Sequence, residues 1–130
     1  MKILVDTHCW LWQLSAPSRL PSRILDMLCA PENQVYLSAA SAWEITIKYG
    51  LGKLALPEPP ERFLTSRLTA LGHTVLPVEL AHVLRLVELP DLHRDPFDRM
   101  LVAQALAEDM DLVTADQRVA GYAARVVWAG

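Results

Sequence analysis

A chain of 130 residues, 52% of them hydrophobic, can bury one substantial core without disulfides or a structural metal, so a single domain over residues 1–130 is expected. The formal net charge of −3 argues against a protein that grips nucleic acid through a broad basic surface, although a divalent cation in a carboxylate pocket reverses the local charge and attracts phosphate. No apolar run approaches the roughly 20 residues of a membrane span, and Asp6 interrupts the stretch that would imitate a signal peptide, which implies a cytoplasmic protein without membrane contact.

Residues 2–6 (KILVD) form a short β-branched run that ends on an acid, as a buried strand does at a sheet edge, so Asp6 closes strand one. A helix through Trp10, Leu11 and Leu14 follows, and a second carries Ile24, Leu25 and Leu28 after Pro17 and Pro21. Residues 34–38 (QVYLS) read as strand two. From residue 39 to about 51 good helix formers predict a helix, with Trp43 and Ile47 stacked at i, i+4 and Glu44 beside that apolar stripe. Cys9 and Cys29, far apart and in no metal-ligand pattern, read as core residues.

Pro57, Pro59 and Pro60 make a stiff connector. Leu64, Leu68 and Leu71 then repeat at helical spacing up to Gly72, and residues 73–78 read as strand three. Leu80, Val83, Leu84 and Val87 form an i, i+3, i+4, i+7 stripe on a helix that Pro90 ends. After a polar loop over residues 91–95, Asp95-Pro96 has the form of an N-cap followed by N1, so Asp98 falls in the first turn of a long helix. Residues 111–114 (DLVT) read as strand four with Asp116 just beyond, and residues 125–128 (RVVW) as strand five. Strands alternating with helices predict a three-layer α/β/α fold around a parallel sheet of about five strands.

In such sheets ligands gather at the carboxyl ends of the strands. Asp6, Glu44, Asp98 and Asp116, from four distant segments, are all expected there. A cluster of like charges opposes folding unless a cation balances it. Mg²⁺ suits oxygen ligands and lowers the pKa of a coordinated water, which is the chemistry of phosphodiester hydrolysis. Each acid also has a plainer reading: Glu44 as an i, i+4 partner of Lys48, Asp98 as a helix-dipole complement, Asp116 as a turn residue or cap. Asp95 is best explained as an N-cap, yet it lies within a turn of Asp98 and could reach the metal in its place. Asp111 starts a strand, at the opposite edge. Repulsion within the cluster predicts that Asp6→Asn stabilises the metal-free protein. His8 is near enough to touch the pocket, but His8, His73, His82 and His93 share no spacing and are read as non-catalytic. Trp10, Trp12, Trp43 and Trp128 are read as core or dimer-interface residues rather than base-stacking platforms.

Residues 6–12 (DTHCWLW), 38–54 (SAASAWEITIKYGLGKL) and 93–117 (HRDPFDRMLVAQALAEDMDLVTADQ) resemble, in order and over nearly the whole chain, PIN-domain proteins of the VapC toxin type. The resemblance implies a Mg²⁺- or Mn²⁺-dependent endoribonuclease, with Asp6, Glu44, Asp98 and Asp116 matching the family's four acids and Thr7 and Thr114 its pocket-lining polar residues. It also implies a homodimer and a cognate antitoxin, with promoter DNA contacted only through that antitoxin. Lys48, Lys53 and Arg99 are candidates to position RNA phosphates. Two other classes stand beside this reading. A phosphatase of the haloacid dehalogenase type requires an aspartate two residues after Asp6, where His8 stands. A catalytically idle binding module would act by sequestering a partner or, with its antitoxin, by repressing a promoter.

Overall fold

The computed structural model describes residues 1–91, 93–122 and 124–130; Leu92, within the loop expected over 91–95, and Ala123 lie outside the described residues. The elements in chain order are β1 (Lys2–Val5), α1 (Thr7–Ser15), α2 (Ser22–Cys29), β2 (Gln34–Ser38), α3 (Ala39–Gly50), α4 (Pro60–Leu71), β3 (Thr74–Leu76), α5 (Leu80–Arg85), α6 (Pro96–Glu108), β4 (Asp111–Thr114), α7 (Gln117–Ala120) and β5 (Val126–Trp128). Single 3₁₀ turns occur at Pro17–Arg19 and Leu86–Glu88. No described helix is long and apolar enough to cross a membrane.

The five strands are all parallel and lie in the order β3-β2-β1-β4-β5. The strand period of two sends Ile3 and Val5 into a core with Trp10, Ile24 and Phe63 on one face, and Leu4 into a second core with Leu101, Val102 and Leu112 on the other. Helices therefore cover both faces, giving the expected three-layer α/β/α fold. Each such aliphatic residue, once fully buried, stabilises the fold by about 1.5–3 kcal/mol relative to exposure. The order reverses at β1, which has β2 on one side and β4 on the other. The crevice beyond the carboxyl ends of β1 and β4 is thus the topological switch point, where open parallel sheets bind ligands.

Local chemistry sets the helix boundaries. Ser38 accepts from the Ala40 amide and starts α3, while Asp95 Oδ1 accepts from the amides of Phe97 and Asp98 and starts α6 with Pro96 at its first position. Gly72 ends α4 in the left-handed conformation, φ 68°, which an L side chain adopts only with strain.

Two expectations are corrected, the extent of α5, which stops at Arg85 rather than at Pro90, and the burial of Cys29, and two apolar stripes are placed. The apolar stripe on α5 faces outward: Leu80 is 71% exposed, Leu84 60% and Val87 86%, and Val87 lies past the helix, in the 3₁₀ turn. The inward position of α5 is held by His82, whose Nδ1 accepts from the Glu79 amide and whose ring meets Gln104 of α6. On α3 the residues facing inward are Ala40, Ser41, Glu44 and Ile45, so Trp43, at 63% exposure, projects from the surface. Cys9 is buried as expected, but Cys29, at the end of α2, is exposed.

Candidate metal centre

Asp6 follows β1 directly. Its backbone N–H donates to Val113 O of β4 at 3.0 Å, so the ladder between β1 and β4 carries it to the switch point. The side chain is 4% exposed and caps α1, Oδ1 accepting from the Cys9 amide at 2.7 Å. The Thr114 hydroxyl, at the end of β4, donates to Asp6 Oδ2 at 2.6 Å and accepts from the Asp116 amide at 3.1 Å. Thr114 thereby fixes two of the expected acids against each other. Burial and the Asp6 charge push the Cys9 thiol far above its ordinary range, which removes it as a thiolate nucleophile.

Glu44 reaches the same edge from α3 and is 1% exposed. Lys48 Nζ pairs with its Oε2 at 2.6 Å, as the i, i+4 spacing predicted, but this is no surface pair: the carboxylate is enclosed and its Oε1 is buried with no hydrogen-bond partner among the described residues. A buried carboxylate oxygen without a donor is costly unless a cation completes it. Beside it, the Thr7 hydroxyl donates to Ser41 Oγ at 2.8 Å, locking the start of α1 to α3. Sequence reasoning missed Ser41, although Ser41, Glu44 and Lys48 form an i, i+3, i+7 polar stripe on one helix face.

Asp98 comes from the first turn of α6 and is 8% exposed. Burial, then the neighbouring Asp95 charge, push its carboxyl up to about 6; Glu44 and Asp6 add to the rise and His93 opposes it. The shift records that Asp98 lies within electrostatic reach of Asp6 and Glu44. His93 Nε2 stands 2.9 Å from Asp98 Oδ2 and 3.1 Å from Asp116 Oδ2, which joins the fourth acid to the cluster. Burial alone would raise Asp116, but the Arg118 amide and the His93 hydrogen bond outweigh it and hold this carboxyl below its ordinary range. His93, set aside in the sequence, thus lies inside the cluster; its place just before the Asp95 cap was the available signal.

The other expected residues divide. Asp95 lies at the rim with Oδ1 occupied by its capping bonds. Asp111 is remote, paired with Arg125 at 3.0 Å. Lys53 is exposed. Arg99 is corrected from its expected role: its guanidinium donates to Pro90 O at 2.9 Å and to the Tyr122 hydroxyl at 3.0 Å, which ties the loop before α6 to the helix. An open cleft of ≈ 440 Å³ leads to the acids, lined by Asp6, His8, Trp12, Asp116 and Arg118. Arg118, not singled out in the sequence, is the cation at its mouth.

The PIN domain model matches residues 3–125 of this chain. The chain belongs to the PIN-domain family. Within the family, it is 50% identical over 50 residues to ribonuclease VapC16 of Mycobacterium tuberculosis, a match spanning 38% of this chain and 36% of that relative. Among solved structures, VapBC2 from Rickettsia felis bound to a promoter DNA fragment superposes with a TM-score of 0.74 at 17% identity, covering 100% of both chains. VapBC-1 from nontypeable Haemophilus influenzae gives 0.65 at 16%, covering 98% of each. At these identities the structural likeness establishes the PIN fold.

Proposed function

We propose that this PIN-domain protein is a metal-dependent endoribonuclease and the toxin component of a type II toxin-antitoxin module. The observation that supports this is a run of acids at the switch point: Asp6 linked to the Asp116 amide through Thr114, Asp116 and Asp98 both beside His93 Nε2, and Glu44 with Oε1 buried and unpaired among the described residues. The donor set consists of hard carboxylate oxygens, which suits Mg²⁺, with Mn²⁺ as a substitute. A cation held there by the four acids would lower the pKa of a coordinated water and shield the charge of a phosphodiester. Thr114 and the Cys9 amide orient the Asp6 carboxylate, and Thr7 with Ser41 fixes the wall between Asp6 and Glu44. Lys48, paired with Glu44, and Arg118, lining the cleft, would engage phosphates along an RNA strand, with the exposed Lys53 as a further candidate.

A second copy of the chain is the occupant proposed for the outward stripe of α5, which continues into an apolar groove of ≈ 410 Å³ lined by Trp43, Phe97 and Met100. A patch of this kind on a protein of this size marks an association surface. A cognate antitoxin completes the module, and promoter DNA is reached through that partner; the similar VapBC2 of Rickettsia felis is bound to a fragment of its promoter.

The test is cleavage of a mixed cellular RNA pool by antitoxin-free protein with Mg²⁺ or Mn²⁺. Discrete fragments that vanish with EDTA, with Asp6→Asn and with Asp98→Asn are expected. Folded protein that leaves every RNA in the pool intact with either metal contradicts the proposal.

A further inference from the structure

The two nitrogens of His93 have different partners. The Asp95 amide donates to Nδ1 at 3.2 Å, so Nδ1 is an acceptor and the ring proton sits on Nε2. That nitrogen is hydrogen-bonded to Asp116 Oδ2 at 3.1 Å and lies 2.9 Å from Asp98 Oδ2, a close polar contact with the second carboxylate. The residue has little freedom to turn away. It is 5% exposed, and its own amide donates to the Tyr122 hydroxyl, which also accepts from Arg99 at 3.0 Å.

His93 Nε2 and one oxygen from each of Asp98 and Asp116 lie within 4.8 Å of one another, a spacing compatible with three ligands around a cation. The hydrogen bonds oppose that reading of the histidine. A protonated nitrogen cannot coordinate, and moving the proton to Nδ1 would set two donors, the ring and the Asp95 amide, against each other.

We infer that His93 is a positioning residue rather than a metal ligand: its Nε2–H bridges Asp98 and Asp116, offsets their repulsion, and presents them as one aligned pair to the cation. The Asp95 amide acts through it by fixing the tautomer. This inference rests on the metal-centre reading above. It assigns His93 a role the four acids do not contain, and it makes Asp95 a contributor through its backbone while its side chain caps α6.

Two measurements on the full chain test it. Nitrogen-15 NMR of the metal-free wild-type protein is expected to show His93 with Nδ1 unprotonated and Nε2 protonated; the opposite tautomer overturns the inference. Mn²⁺ titrations followed by electron paramagnetic resonance then compare wild type, His93→Ala and His93→Gln, with a melting curve of each metal-free protein. Loss of an orienting partner of this kind typically costs about 10–100-fold in metal affinity, so that weakening is expected for His93→Ala. His93→Gln, which restores an N–H donor, is expected to recover most of the affinity, with the metal-free melting temperatures of the two variants alike. Wild-type affinity in His93→Ala, or equal losses in both variants, overturns the inference while leaving the metal centre standing. A wild-type protein that binds no Mn²⁺ overturns the metal centre, and this inference with it.

Discussion

Asp98 is the acid on which the charge balance of the site turns. Its folded-state pKa of about 6 lies above the ordinary 3.8, so the metal-free folded protein binds an extra proton between those values. The stability linked to this group is therefore fully present below pH 3.8 and lost as pH rises through 6. In EDTA, the wild-type melting temperature relative to that of Asp98→Asn is expected to fall between about pH 4 and pH 7, and saturating Mg²⁺ is expected to abolish the fall. A difference that stays flat across this range in EDTA contradicts the assignment. The same reasoning displaces the expectation that Asp6→Asn relieves repulsion: Asp6 already accepts from the Cys9 amide and the Thr114 hydroxyl, so its replacement removes favourable contacts as well as charge. Thr114→Val keeps the shape of the side chain while stripping the donor to Asp6 and the acceptor for the Asp116 amide. Hydrogen bonds to charged groups contribute about 1.5–3 kcal/mol, and a destabilisation in that range is expected by urea denaturation of the metal-free protein.

At the scale of the element, α6 depends on its start. Asp95→Ala removes the acceptor for the Phe97 and Asp98 amides and is expected to cost about 1 kcal/mol, read as a lower urea midpoint. The cap was legible because Asp-Pro before a helical pattern has few other uses, and β2 and β4 were legible to the residue because their β-branched and apolar runs are bounded by turn residues. The face of α5 was not. Periodicity reports that Leu80, Val83 and Leu84 share a stripe, but not whether it meets the core or a partner, and the buried side is held by His82, which no hydropathy pattern marks. On α3 the same ambiguity left the burial of Glu44 open: the acid stands out in the sequence, but its i, i+4 pairing with Lys48 is equally that of a surface salt bridge, and only the fold shows its carboxylate enclosed beside Ala40, Ser41 and Ile45. His93 escaped because its meaning lies in contacts with Asp98 and Asp116, and the second of these is 23 residues away.

For the molecule as a whole, the order β3-β2-β1-β4-β5 does what no single motif could: it sets the ends of β1 and β4 side by side, with α3 and α6 closing over the same edge. Residues far apart in the chain thereby meet at that edge, Asp6 with Thr114 and His93 with Asp116. The outward apolar face supports a prediction at this scale. Leu84→Glu changes a side chain already 60% exposed and is expected to leave the melting temperature nearly unchanged, within about 0.5 kcal/mol of stability. Sedimentation velocity of the wild type is expected to show a dimer and that of Leu84→Glu a monomer; a dimer in both excludes this face as the interface. The claim on which everything else depends is that the four acids hold one divalent cation site. Crystals of the antitoxin-free protein soaked in Mn²⁺ and measured at an anomalous wavelength test it directly. The expected result is a peak bounded by the carboxylates of Asp6, Glu44, Asp98 and Asp116. A map with no peak there at saturating Mn²⁺, in crystals whose cleft is open to solvent, would contradict the account.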